Sequence, residues 1–307
     1  MKIGIIGGTG HVGQFMVPQL VRQGHEVFVV TSGRTQTTGD SQWSKVKFLK
    51  GRYVRGDQTW YDLIANSGCE VLVDMLGGDL PGVYQAAKKT CKHLLACGSV
   101  WMFGPPRVVP TPPETQGPCQ FDVYTVRYKE ILDVKAQAKR DGIAFTAIMP
   151  TNICGPGKIP LDVMGGRDIN VHKAMKQGKP AFLPEGCNTL IGPCDAEDIA
   201  SIFVLAAANR DQAANEIFNA GSAYALTATK LIETFGEIYR TQIPCEFVSM
   251  EKYVKQILPD VGANYHFLHH MCPDISKTQI KLGYRPQYTP EETLQRAVDW
   301  MYQTKLF

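Results

Sequence analysis

The sequence predicts an α/β protein, a doubly wound parallel sheet followed by a smaller C-terminal lobe that binds substrate. Three observations lead there. Short β-rich runs alternate with longer helical patterns through the first half. A glycine-rich turn separates the first strand pattern from the first helix pattern. After Pro150 the alternation loosens into loops and short helical stretches. The expected division is therefore a sheet domain over 1–150 and a lobe over 151–307, partly interleaved with it.

The β-rich runs are Lys2–Ile6, Glu26–Thr31, Val46–Leu49, Val71–Met75, His93–Cys97 and Phe145–Ile148. Each is short, apolar and rich in Val, Ile, Leu or Phe, as strands buried on both faces are. Between them, Val12–Arg22, Trp60–Ala65, Val83–Lys89 and Tyr124–Arg140 read as helices, which completes a Rossmann-type βαβ series. The Pro-rich stretch Pro105–Pro118 interrupts the series, and a loop of that length inside a compact domain points to function. Beyond Pro150 the helical candidates are Lys173–Gln177, Asp198–Ala207, Thr227–Tyr239, Met250–Ile257 and Pro290–Gln303.

With 307 residues the chain is long enough for a sizeable core and a second lobe. Its 32 basic and 29 acidic side chains leave a net charge of +3, too small for a nucleic-acid stripe or a polybasic membrane face. Nine scattered cysteines without CxxC spacing, and an N-terminus that opens directly into a strand, make a reduced cytoplasmic protein the expectation. No apolar run approaches the ~20 residues of a membrane span.

The turn reads Gly7-Gly8-Thr9-Gly10-His11-Val12-Gly13. Missing side chains at such a turn let a pyrophosphate approach backbone N–H groups and a helix N-terminus. Gly7, Thr9, Gly10, His11, Val12 and Gly13 are thus expected to contact a dinucleotide. The second strand ends Thr31-Ser32-Gly33-Arg34, without the acid that would bind a ribose 2′-hydroxyl. Ser32 and Arg34 suit an extra 2′-phosphate, so NADP(H) is favoured, with NAD(H) an alternative.

Further motifs follow in order: Leu94-Leu95-Ala96-Cys97-Gly98-Ser99-Val100-Trp101-Met102-Phe103-Gly104, Pro150-Thr151-Asn152-Ile153-Cys154-Gly155-Pro156-Gly157, Asp195-Ala196-Glu197-Asp198-Ile199-Ala200, Asn219-Ala220-Gly221, and Asp274-Ile275-Ser276-Lys277 with Leu282-Gly283-Tyr284-Arg285-Pro286. Along almost the whole chain these resemble the extended short-chain dehydrogenase/reductases, the family of NAD(P)-dependent nucleotide-sugar epimerases, dehydratases and reductases, in an atypical form. The resemblance implies a Ser that orients a substrate oxygen, here Ser99, and a Tyr acid/base on the next helix, here Tyr124. It also adds Asp57, Pro150 and Asn152 to the expected cofactor contacts, and a homodimer by analogy.

Two departures stand out. The family lysine falls four residues after the tyrosine, where this chain has Tyr128; Lys129 comes one later. Four residues advance ~40° net around a helix and five ~140°, so Lys129 points away from the Tyr124 face, and Arg127 is the nearer cation. Tyr128 and Lys129 nonetheless stay in the candidate catalytic set. The segment Gly186–Cys194 also lacks the arginine with which relatives pair a substrate pyrophosphate; Lys158 and Arg167 are the compensating candidates. His266, His269 and His270 are expected to line the cleft, not to bind a metal.

The resulting expectation is an NADP(H)-dependent oxidoreductase or epimerase-like enzyme acting on a carbonyl or hydroxyl of a sugar-like or other small polar substrate. The alternatives are a catalytically degenerate NADP(H)-binding sensor or regulator and an RNA-associated protein of the same fold.

Overall fold

The computed structural model describes residues 1–307. Its centre is a seven-stranded, all-parallel sheet. The first half runs β1 (Lys2–Ile6), α1 (Gly13–Arg22), β2 (Glu26–Thr31), β3 (Lys47–Lys50), α2 (Gln58–Ala65), β4 (Val71–Asp74), α3 (Leu80–Ala87), β5 (His93–Cys97), α4 (Asp122–Asp141) and β6 (Ala144–Pro150). Then come β7 (Asn152–Cys154), α5 (Ile169–Lys176), β8 (Ala181–Pro184), β9 (Leu190–Ile191), β10 (Pro193–Asp195), α6 (Ala196–Ala208), α7 (Arg210–Ala213) and β11 (Glu216–Ala220). The chain closes with β12 (Leu226–Thr227), α8 (Ala228–Tyr239), β13 (Cys245–Val248), α9 (Met250–Lys252), a π-helical turn at Tyr253–Ile257, α10 (Val261–Leu268), α11 (Ser276–Leu282) and α12 (Pro290–Gln303).

The period-2 geometry of the strands explains the two covering layers. Ile3, Ile5, Val27, Val29, Val71, Val73 and Leu95 face a core built with α1 and α6. Their alternates Ile6, Phe28, Val30, Leu72, Leu94 and Ala96 face a second core built with α2, α3 and α4. A one-residue slip in any strand would exchange both sets. Strand order is β11-β6-β5-β4-β1-β2-β3, so the chain winds one way from β1 to β3 and the other way from β4 onward. Beyond the strand ends at the β1/β4 switch the connections diverge and leave a crevice.

The first six strands and the helices between them form where the sequence places them, with ends shifted by up to three residues. Helix α4 is longer than expected and stops at Gly142, whose φ of +72° supplies the left-handed cap. The second half departs more. The short strands β7 to β13, and helices α10 and α11, have no counterpart among the expected elements; most are too brief for periodicity to register. Strand β11 from this half pairs with β6 in the main sheet. The other strands pair two by two around a third core, from Cys154 to Met301.

Arg296 on α12 clasps this third core to the sheet domain. Its Nε donates to Asp195 Oδ2 at 2.9 Å and its Nη2 to Glu197 Oε2 at 2.7 Å, while the guanidinium lies 3.8 Å over the Tyr288 ring. The Asp195 side chain is fully buried and also caps α6 through the Glu197 N–H. Removing one partner of a buried pair leaves the other without compensation. Arg296→Met is therefore expected to cost about 3 kcal/mol of unfolding free energy in urea titrations; a loss well below ~1 kcal/mol, the range of an exposed pair, would show that the clasp is inert.

Candidate functional site

The glycine turn is shaped by contacts that forbid side chains. A Cβ on Gly13 would lie 2.2 Å from the Gly8 carbonyl oxygen, and one on Gly8 would press on Val29 and Ile5. Gly7 takes φ +76°, its N–H bonds Val30 O at 3.1 Å, and Gly10 N–H returns to Gly7 O at 3.0 Å. The first turn of α1 therefore faces the crevice with bare backbone, a ready anion site.

Beside it opens a recess of about 310 Å³. Thr9 and Gly10 form one wall, Ser32, Arg34 and Arg52 the other, with Tyr53 and Trp60 among the remaining lining residues and no carboxylate anywhere in the lining. A larger groove, of about 530 Å³, lies around Met1, Lys92 and Arg210, at the N-terminal ends of the strands. Ligands of open α/β sheets bind beyond the C-terminal ends, which favours the smaller recess.

Arg52, Tyr53 and Trp60 escaped the sequence analysis. Arg52 and Tyr53 follow directly on β3, and Trp60 lies in the first turn of α2. The Tyr53 hydroxyl donates to Asp74 Oδ2 at 3.1 Å and accepts the Asp79 N–H at 2.7 Å. Asp74, fully buried, accepts the N–H groups of Leu76 and Gly77, and burial pushes its carboxyl upward. Asp57 sits differently from the expectation: it caps α2 through the Thr59 N–H at 2.9 Å and does not line the recess.

Ser99 lies two residues beyond β5 and caps the 3-10 turn Val100–Phe103, its Oγ accepting the Trp101 N–H at 3.3 Å. That turn delivers Trp101 into an aromatic cluster. Ring centroids of Phe121, Tyr124, Tyr265 and His266 lie 5.2, 5.7, 4.7 and 4.7 Å from it. Tyr124 is half-buried, and burial raises its hydroxyl pKa while the Arg127 charge partly opposes the shift.

The structure sets Lys129 apart from this cluster, whereas Tyr128 packs on the same core as Tyr124, one helical turn on. Tyr128 stands edge-on to Phe103 at 5.6 Å, against the sheet core. Lys129 bonds Asp133 at 2.7 Å with 76% of its side chain exposed. The fifth residue along a helix faces away, so Lys129 does not stand on the Tyr124 face.

Pro150 ends β6, and the buried Asn152 side chain on β7 has an amide nitrogen without a partner. His11 Nε2 and Gln14 Nε2 both approach Pro156 O at 2.9 Å, tying the glycine turn to the Gly155–Gly157 loop. Burial, helped by the Lys158 and Arg167 charges, holds His11 down at about 4, so it is neutral near pH 7. Burial likewise brings His266 to about 4, and its Nδ1 has no partner. His270 Nδ1 accepts the Leu190 N–H at 3.1 Å, and His269 stacks on Tyr265 at 4.3 Å. The three histidines thus do not converge, and no group of His, Cys, Asp and Glu is spaced for a metal ion. No helix is long and apolar enough to cross a membrane.

Residues 80–221 match the family model for the NAD dependent epimerase/dehydratase family. The match takes in a little under half of the chain. Solved structures agree on the fold over the whole length. An epimerase from Methanothermobacter thermautotrophicus superposes with a TM-score of 0.78 at 15% identity, covering 99% of this chain and 92% of that one. A UDP-glucose 4-epimerase from Thermotoga maritima, solved with UDP-glucose, gives 0.75 at 17%, covering 99% and 100%. A dTDP-glucose 4,6-dehydratase from Bacillus anthracis, solved with NAD, gives 0.76 at 14%, covering 99% and 97%. Among curated proteins, a chloroplast stem-loop binding protein of Arabidopsis thaliana is 26% identical over 232 residues. That alignment takes in 71% of this chain and spans 58% of the relative.

The bare backbone at Gly10 gives a direct test of the glycine turn. A Cβ there would stand 3.2 Å from Gly7 O, and the two γ-methyls of valine would project into the crevice. Gly10→Val is expected to abolish thermal stabilisation by NADPH and NADH while the unliganded melting temperature moves only a few degrees. Unchanged stabilisation would show that the dinucleotide does not use this turn.

Proposed function

We propose that the protein is an NADP(H)-dependent oxidoreductase or epimerase-like enzyme that acts on a carbonyl or hydroxyl of a sugar-like or other small polar substrate. The observation that carries this is the recess beside the glycine turn, flanked by Arg34 and Arg52 and free of carboxylates. A dianionic 2′-phosphate needs cations and no nearby acid; a 2′-hydroxyl would be served by an acid that this chain lacks. The turn fits the rest of a dinucleotide: Gly10 to Gly13 hold the pyrophosphate on backbone N–H groups, and the partnerless Asn152 amide offers a further donor. The bound nicotinamide supplies or accepts a hydride.

The chain's own contribution is to the proton. Ser99 and Tyr124 bracket Trp101, Ser99 orienting a substrate oxygen and Tyr124 holding the proton that leaves or joins it. Arg127 supplies a positive field but stays protonated, so it cannot relay a proton as a lysine can. A tyrosine raised by burial and without a lysine is a weak base at pH 7, and slow chemistry follows. The RNA-associated alternative, which the Arabidopsis relative's name suggests, is the weaker reading, because a net charge of +3 leaves little for phosphate neutralisation.

Titration of both cofactors is expected to show tighter NADPH than NADH binding. The preference should shrink about tenfold or more in Arg34→Ala, and Arg52→Ala should act the same way, a charge-assisted contact being worth about 1.5–3 kcal/mol. Equal affinity for the two cofactors in the parent protein would overturn the NADP(H) reading.

Tyr124→Phe is expected to lower turnover by about 10²–10⁴-fold with cofactor affinity nearly unchanged. In the direction of alcohol oxidation the phenolate is the active form, so the rate should still be climbing above neutral pH. Full activity in Tyr124→Phe would place the acid/base elsewhere, and NADPH binding with no turnover over a panel of aldehydes, ketones and UDP-sugars would favour the sensor.

A further inference from the structure

Cys69 and Cys91 meet at the N-terminal end of the sheet, the end opposite the glycine turn. In the parallel β4–β5 pair Val71 lies opposite His93, and each cysteine precedes its member of that pair by two residues. Backbone bonds fix the chain between them: Glu70 O accepts the N–H groups of Lys92 at 2.8 Å and His93 at 3.2 Å, while the Glu70 N–H bonds Lys2 O at 2.9 Å. Cys91 is anchored in turn by its own N–H to Ala87 O, at the end of α3, at 3.0 Å. This register brings the two side chains into contact, and the Cys91 thiol donates a hydrogen bond to the Cys69 sulfur. Neighbouring parallel strands run ~4.8 Å apart, a spacing that a disulfide can bridge.

The surroundings treat the two sulfurs differently. The hydrogen bond from Cys91 holds the Cys69 thiol below its ordinary range, with Ser67, whose Oγ lies 3.5 Å from the sulfur, and the Lys2 ammonium assisting and burial opposing. The same hydrogen bond, with burial, drives the Cys91 thiol upward. One thiolate beside one thiol is the arrangement these contacts favour. Cys69 is fully buried, whereas Cys91, 4% exposed, is part of the lining of a groove of about 440 Å³ together with Lys92, Lys139 and Arg210. Solvent thus reaches the pair from the Cys91 side. No group of His, Cys, Asp and Glu is spaced for a metal ion, so the two thiols are not half of a metal site.

We propose that Cys69 and Cys91 form a site of reversible oxidation, at which a small peroxide converts the two thiols into a disulfide across the ends of β4 and β5. The Cys69 thiolate attacks one peroxide oxygen; the O–O bond breaks, hydroxide leaves and Cys69 carries a sulfenic acid. The Cys91 sulfur then attacks the sulfenic sulfur, the S–S bond forms, the S–O bond breaks, and the departing oxygen leaves as water with the Cys91 proton. Two thiols are oxidised by two electrons and the peroxide is reduced. A peroxide is small enough to pass Cys91, which a bulky disulfide reagent is not. The new bond closes the chain from 69 to 91, around β4 and α3, and restrains the unfolded state. This site is independent of the proposed enzyme activity, since it lies at the opposite end of the strands from Ser99.

Hydrogen peroxide, applied to the native full chain, tests it. After alkylation of the remaining thiols, mass spectrometry of an unreduced digest is expected to show the Cys69 and Cys91 peptides joined, lighter by two hydrogens, and separated again by dithiothreitol. The oxidised chain should also melt several degrees above the reduced one. In Cys91→Ala the cross-link is lost and Cys69 is expected to be trapped as a sulfenic acid by dimedone. Cys69 and Cys91 both alkylated after a peroxide dose that oxidises the half-buried Cys187 and Cys245 would overturn the proposal. A joined peptide pair formed to the same extent in guanidinium-unfolded chain would overturn it too, because the fold would then contribute nothing to the pairing. Both decisive readouts use the parent protein, so the test stands even where Cys91→Ala does not fold.

Discussion

The close approach of α1 to β1 governs the architecture of the cleft. With the Cβ position of Gly13 only 2.2 Å from Gly8 O, any side chain at that point would lever the helix off the sheet. Bringing the two together exposes the first N–H groups of α1 at the switch point between β1 and β4, where the chain reverses its winding. The hydrophobic alternation of the strands then holds that switch point in place, since both faces of the sheet are buried. Arg34, Arg52 and Thr9 surround the exposed backbone only because β2 and β3 end beside it.

A second constraint comes from helix geometry in α4. Phe121, Tyr124 and Tyr128 are inward-facing and Lys129 is not, so the helix cannot present a tyrosine and a lysine together with these residues at these positions. The aromatic cluster around Trp101 occupies the space next to Tyr124 and raises the cost of ionising it. On the proposed reading, chemistry at this site draws on positioning more than on an activated base.

Legibility in the sequence followed the length of the signal. Strands such as Lys2–Ile6 and His93–Cys97, and the turn from Gly7 to Gly13, were readable because apolar runs and glycine spacing are local. The orientation of Lys129 was readable too, from turn arithmetic alone. Strand β11 was hidden because Glu216–Ala220 mixes polar and apolar residues and gains its place from pairing with β6. Arg52 and Tyr53 were hidden because the loop after β3 has no pattern of its own, and Trp60 because its helical pattern says nothing of the recess that it lines. The close approach of Gly165 to Ala263 joins positions almost a hundred residues apart and leaves no local trace.

The central claim is that the turn, the arginine-flanked recess and the Trp101 wall form one continuous site with Tyr124 at its reactive end. A crystal structure of the chain soaked with NADP⁺ tests this most directly. The account predicts the pyrophosphate on the N–H groups of Gly10 to Gly13, the 2′-phosphate between Arg34 and Arg52, and the nicotinamide ring beside Tyr124 and Trp101. A dinucleotide with its nicotinamide end turned away from Tyr124, or no dinucleotide in the crevice at saturating cofactor, would contradict it.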